Sequence, residues 1–158
     1  MELSVNGIDI TVPTSTIEQI VRERLAGDRV QTFTRDGLPS IGAAYHGGLY
    51  AGLTIFDDEP HALVLLPGDF SGNWKAALAW ADQEDGMLPS RFDALVFFKN
   101  LKAEFKPEWY WTSEPYASDA SCAWMQGFSG GYQYCSHVVT NYRARAVRRI
   151  PLSNSIIQ

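Results

Sequence analysis

Residues 109–134 read WYWTSEPYASDASCAWMQGFSGGYQY, a stretch with eight aromatic residues, several hydroxyls, one glutamate and a double glycine. Its short runs of aromatic and β-branched residues are broken by Pro115 and by the Ser129-Gly130-Gly131 turn, the pattern of paired strands. Trp109, Trp111 and Trp124 are spaced so that ring pairs can stack across adjacent strands and supply much of the apolar area of a small core. Strand-like runs continue through "YQYCSHVV" and "RARAVRRI".

Upstream the period changes. "NWKAALAWADQ" puts Trp74, Ala77, Leu78 and Ala81 on one helical face, and "SRFDALVFFKNLKAEF" predicts a second helix, capped by Ser90, with Asp93 near its positive end and Pro107 closing it. Before these, "LYAGLTIF" and "HALVLLPG" predict a hairpin around Asp57, Asp58 and Glu59. At the N-terminus two alternating runs flank Asn6-Gly7, and "STIEQIVRERLAG" predicts an amphipathic helix with a capping box from Ser15 to Glu18 and Gly27 as its stop. Helices in the middle and strands at both ends predict an α+β fold. The expected division is an N-terminal hairpin and helix over 1–36, with residues 1–27 a candidate oligomerisation element, and one domain over 37–158.

At 158 residues with 46% hydrophobic and 20% charged content, the chain can bury a core without disulfide or metal staples. A net charge of -5 argues against general nucleic-acid binding. The first residues lack the basic and apolar runs of a signal peptide, and no apolar run reaches the length of a membrane span, so the expected location is the cytoplasm. Across the Ser129–Gly131 turn, Cys135 faces a residue about two to four positions beyond Cys122, too far for a disulfide, so both are read as free thiols.

The order of "NWKAALAWA", "LPSRFDALVFF", "WYWTSE", "CAWMQGFSGG" and "YRARAVRRI" resembles the Lcl C-terminal domain family over about residues 73–150, and "GGLYAGLTIF" with "HALVLLPG" looks like its phage and prophage version. The resemblance implies a C-type-lectin-like fold, a small twisted antiparallel sheet flanked by two helices. It also implies recognition rather than catalysis. The partner would be a host protein in the host cytoplasm, with a counter-defence role one form of this, or a glycan bound by a virion-associated module. An enzyme on a formylglycine-generating-enzyme-like scaffold is a weaker alternative.

No cofactor or metal is expected. Glu114-Pro115 is followed by Tyr116 where calcium-dependent lectins carry an asparagine, so the oxygen ligands a six- to eight-coordinate calcium requires are missing. Cys122 and Cys135 do not reproduce the close pair that holds copper in the formylglycine-generating enzymes. Cys135 and His137 share a strand face, as a nucleophile and base might, yet no orienting group or oxyanion donor accompanies them. His46 and His61 are isolated. "RARAVRR" read as one strand turns Arg143, Arg145 and Arg149 to one side, and in an acidic chain internal pairing is the expected use. The specific pairing expected is Glu114 with Arg145 or Arg148. The residues expected to meet a partner are Tyr116, Ser118, Asp119, Tyr132, Tyr134, His137, Asn141 and Tyr142, against the alternative of an ordinary tyrosine-rich sheet rim.

Overall fold

A computed structural model describes residues 2–5, 8–11 and 37–152. The chain divides into two compact units, Met1–Thr32 and Phe33–Gln158. In the first, β1 (Glu2–Val5) and β2 (Ile8–Thr11) pair antiparallel, with Val5 opposite Ile8 and Asn6-Gly7 between them. The helix expected over 15–27 lies outside the described residues.

The second unit is α+β. Its first sheet has the order β11-β5-β4-β3, built from β3 (Ala44–Tyr45), β4 (Gly48–Phe56), β5 (Glu59–Leu65) and β11 (Val147–Pro151). The β4–β5 hairpin turns on Asp57 and Asp58, both at positive φ (50° and 61°), as a two-residue turn demands when it follows the right-handed strand twist. Glu59, expected in the turn, is instead the first residue of β5. A bulge falls between Tyr50 and Gly52. There the side-chain amide of Asn100 donates to the Ala51 carbonyl at 2.8 Å, tying the bulge to the end of the second helix.

The second sheet has the order β6-β10-β7-β8-β9, from β6 (Phe70–Gly72), β7 (Trp109–Pro115), β8 (Cys122–Gly127), β9 (Gln133–His137) and β10 (Tyr142–Ala144). All its pairings are antiparallel except β10 with β7. Helix α1 (Trp74–Gln83) is capped by the Asn73 side chain, which accepts from Ala76 N–H at 2.9 Å. Helix α2 (Arg91–Asn100) starts on a capping box: Ser90 Oγ accepts from Asp93 N–H and the Asp93 carboxylate accepts from Ser90 N–H. It stops at Asn100, short of the expected Phe105, and a 3-10 turn (Lys102–Glu104) follows.

Side-chain alternation along β7 explains the layering. Trp111 packs in a core cluster with Ala77 and Ala81 of α1, Leu88 and Met125. Its neighbour Tyr110 points the other way, into a cluster with Phe97 of α2, Leu63, Leu65 and Phe128. The two helices therefore cover opposite faces of the five-stranded sheet. β5 also alternates, Val64 joining the first cluster and Leu63 and Leu65 the second, which is why its sequence is apolar at successive positions. Burial pushes the Tyr110 phenol above its ordinary pKa, against the smaller opposing effect of the hydrogen bond from Lys106 N–H.

Three expectations are corrected here. "RARAVRRI" is two strands in two sheets. At the crossing the Leu66 N–H donates to the Ala146 carbonyl at 3.0 Å, and the small, fully buried Ala144 and Ala146 let the chain pass between layers. The arginines consequently part company. Arg143 reaches Glu108 and Asp69, Arg145 donates to the carbonyls of Glu104 and Leu66, and Arg149 meets Asp93. Secondly, the tryptophans do not stack on one another: Trp109 meets Tyr134, Trp111 meets Tyr142 and Trp124 meets Tyr116, each edge-on.

The third correction concerns the ion pair. Glu114 does not pair with Arg145 or Arg148. Its carboxylate accepts from the backbone N–H of Arg91 at 2.6 Å, at the positive end of α2. Arg148 donates to the carbonyls of His46 and Asp85. The buried pair is Asp93 with Arg149, side chains 0% and 4% exposed. Asp93 accepts from Arg149 Nε at 2.9 Å and also from Arg149 Nη2, from Ser90 N–H and from the Thr54 hydroxyl, so one carboxylate joins α2, β11 and β4.

Candidate binding site

The five-stranded sheet opens at the end where β7 begins, and residues of both its faces meet there. Trp109, two residues before Trp111 and on the same side, is only partly buried. With Ser71, Pro107, Glu108, Asn141, Tyr142 and Arg143 it lines an open groove of about 360 Å³. Tyr134, placed by the register opposite Met125, meets the Trp109 ring at 5.7 Å, and Tyr132 meets Tyr134 at 6.4 Å. Tyr132 and Tyr134 are 67% and 60% exposed. The result is a run of rings from a recessed wall to an open rim, beside hydroxyl, amide and both signs of charge. Tyr142 is held by the Trp111 ring at 5.2 Å and by a hydrogen bond between its hydroxyl and Ser136 Oγ at 3.1 Å. Arg143 is paired with Glu108 and, at 3.4 Å, with Asp69, contacts worth little in water but enough to set the guanidinium on the groove wall.

The β8–β9 hairpin that carries the two exposed tyrosines is fastened from behind. Buried Gln126 donates to the carbonyls of Gly127 and Tyr132 and accepts from Gln133 Nε2. Gln133 in turn donates to the Arg91 carbonyl and accepts from Arg91 Nε at 3.0 Å, and the Arg91 guanidinium lies over the Trp124 ring, 3.5 Å from its centroid. Gly131 closes the turn at φ 82°, where an added Cβ would stand 2.7 Å from the Phe98 ring. Gly131→Ala is therefore expected to cost about 1–3 kcal/mol through backbone strain and the collision together. The check is the urea midpoint. An unchanged midpoint would show that the turn tolerates another backbone shape.

The expected contact residues separate into two groups. Asn141 and Tyr142 line the groove, and Tyr134, with Tyr132 beside it, extends outward from its Trp109 wall. Tyr116, Ser118, Asp119 and His137 do not join them. Tyr116 packs on Trp124, and His137 faces Cys122 across the strands, both on the opposite face of the sheet. Asp119 folds its own loop, accepting from the Ser121 hydroxyl at 2.6 Å, from Ser121 N–H and from the Cys122 thiol. The Ser121 hydroxyl, ahead of these lesser contacts, holds the Asp119 carboxyl below its usual pKa. Both cysteines are free thiols, and Cys135 stands opposite Trp124. Among the described residues no three His, Cys, Asp or Glu side chains are grouped to hold a metal ion, and no helix is long and apolar enough to cross a membrane.

Trp109, Ser71, Glu108 and Arg143 were not expected in the site. The available signal was Pro107-Glu108 immediately before Trp109: the strand begins there, so its first ring sits at the sheet end while Trp111 is carried inward. Arg145, expected on one side of a strand with Arg143 and Arg149, is set over Phe105, with its pKa lowered by burial and its Nε buried without a hydrogen-bond partner among the described residues. No protein-family model matches the chain, and no curated protein is found to be similar to it.

Proposed function

We propose that this protein is a non-enzymatic recognition module on a C-type-lectin-like scaffold of the phage or prophage type, acting in the host cytoplasm on a host protein. One observation carries the reading: the Trp109 ring that walls the groove is met by Tyr134, and Tyr134 by Tyr132, rings left more than half exposed. Tryptophan, tyrosine and arginine are the residue types that dominate protein recognition energetics, because they bring large rigid area at small entropic cost. The second reading, a glycan-binding module, is favoured by the Asn141, Ser71 and Glu108 polar groups set beside the ring faces.

Affinity capture from host lysate, followed by titration of the captured protein, and binding to a glycan array separate the two. Trp109→Ala and Tyr134→Ala are each expected to weaken binding about 10- to 100-fold. Tyr134→Ala should leave the melting temperature nearly unchanged. Cys122→Ser and Cys135→Ser should leave binding intact. A partner bound equally well by the Trp109 and Tyr134 variants would remove the groove from the reading, and loss of function in a folded thiol variant would favour the enzyme alternative.

A further inference from the structure

Hydrogen-bond parity along β9 identifies a second surface, independent of the groove. Gly127 N–H donates to the Tyr132 carbonyl at 2.8 Å and Val138 N–H to the Ser121 carbonyl at 2.9 Å. With the β8–β9 register between them, the inward ladder bonds fall on Tyr134 and Ser136. Gln133, Cys135 and His137 therefore turn their backbone N–H and C=O groups to the outer edge, where no strand among the described residues pairs with them. Among the described residues only His137 has a partner for one of these groups, its carbonyl accepting from Thr140 N–H at 3.0 Å.

Exposed edges are ordinarily protected by shortness, charge, proline or a cover, because open ladders invite pairing. The other edges of the two sheets obey this. β3 is two residues long, β6 is three, and β11 carries Arg148, Arg149 and Pro151 and is bridged on its outer side by Met87. Among the described residues nothing gives β9 these protections. Its sequence, QYCSH, has no acidic, lysine, arginine or proline residue, and Tyr134, Cys135 and His137 are exposed.

We infer that β9 is a homodimer edge, taking β9 of a second copy of this chain antiparallel about a two-fold axis through Cys135. The outward groups are symmetric about that residue. Cys135 pairs with its own copy, Gln133 with the copy's His137 and His137 with the copy's Gln133, making about six backbone hydrogen bonds. Tyr134 then stands across from the copy's Ser136, and Tyr132 from its Val138, so both partly exposed rings gain cross-strand neighbours. Because cross-strand neighbours share a face, the Trp109, Tyr134 and Tyr132 rings of both copies lie on the same side of a continuous sheet. A partner offering two sites would then be held with the gain of linked binding.

Sedimentation of the full chain over a range of concentrations is expected to show a monomer–dimer equilibrium. Cys135→Lys, an exposed position that sets like charges opposite each other, should weaken it at least about tenfold while circular dichroism stays native. In a Cys122→Ser background a short bismaleimide should link dimers through Cys135, and His137→Pro, which deletes an outward N–H and no inward ladder bond, should suppress that link. A wild type that stays monomeric, as it would if the edge takes an extended segment of some other protein, overturns the proposal. So does a dimer that survives both substitutions.

Discussion

Asp93→Ala is expected to lower the unfolding free energy by about 3–5 kcal/mol, because it strands the Arg149 guanidinium in a site only 4% exposed to water. Two further losses accompany this. The Thr54 hydroxyl, on a residue 1% exposed, loses its acceptor, and the Ser90 capping box loses one of its two bonds. Arg149→Met should cost a similar amount, since it leaves the carboxylate buried without its cation. Removing both charges together is expected to cost clearly less than the sum, because a buried pair recovers only part of the desolvation it demands. Urea unfolding of the two single variants and the double variant measures this coupling. Additive losses would mean that the pair does not interact. With total stabilities of small domains at about 5–15 kcal/mol, either single substitution should leave the protein close to unfolding.

Trp111→Ala carries the second large effect, about 3–5 kcal/mol. The indole is fully buried among Ala77, Ala81, Leu88 and Met125, and its N–H donates to the Gly72 carbonyl at 3.1 Å. Alanine leaves a cavity that residues as small as Ala77 and Ala81 cannot fill, and leaves that carbonyl short of a donor. Because Trp111 is also the backing for Tyr142, its loss should reach the groove. Trp109→Ala provides the contrast: a half-buried ring at the strand start, whose removal should affect partner binding strongly and the melting temperature much less. Thermal unfolding paired with binding titration on the two variants distinguishes them. Equal losses of stability would contradict the layering described above.

Helix α1, the Ser90 cap and the Asp57-Asp58 turn were legible in the sequence because each depends on residues within a few positions of one another. The Asp93–Arg149 pair was not. Its members lie 56 positions apart, and which carboxylate an arginine meets is decided by how β11 docks on α2, information no local pattern contains. The same reason explains Glu114, whose carboxylate is consumed by the N–H of Arg91. Trp109 and Trp111 share one side of β7, but a period of two does not say which ring reaches the rim or that each meets a tyrosine rather than another tryptophan. The doubled Arg148-Arg149 and the two alanines before them resembled one continuous strand, whereas the chain changes sheets there. Of the expected contact residues, Asn141 and Tyr142 line the groove, and Tyr134 and Tyr132 stand beside its Trp109 wall on a hairpin set by its glycine turn. Tyr116 and His137 fell away because parity alone puts them on the reverse side.

The sheet change at Ala146 has a consequence for how this domain is made. β10 sits between β6 and β7, and β11 lies on β5, so both sheets wait for the same ten or so residues to arrive. Until Pro151 has cleared the ribosome, β5 lacks its neighbour and Asp93 lacks its counter-charge. Such late, long-range closure is entropically slow, and it makes assembly of the domain one all-or-none event that follows the arrival of β11 rather than a stepwise one.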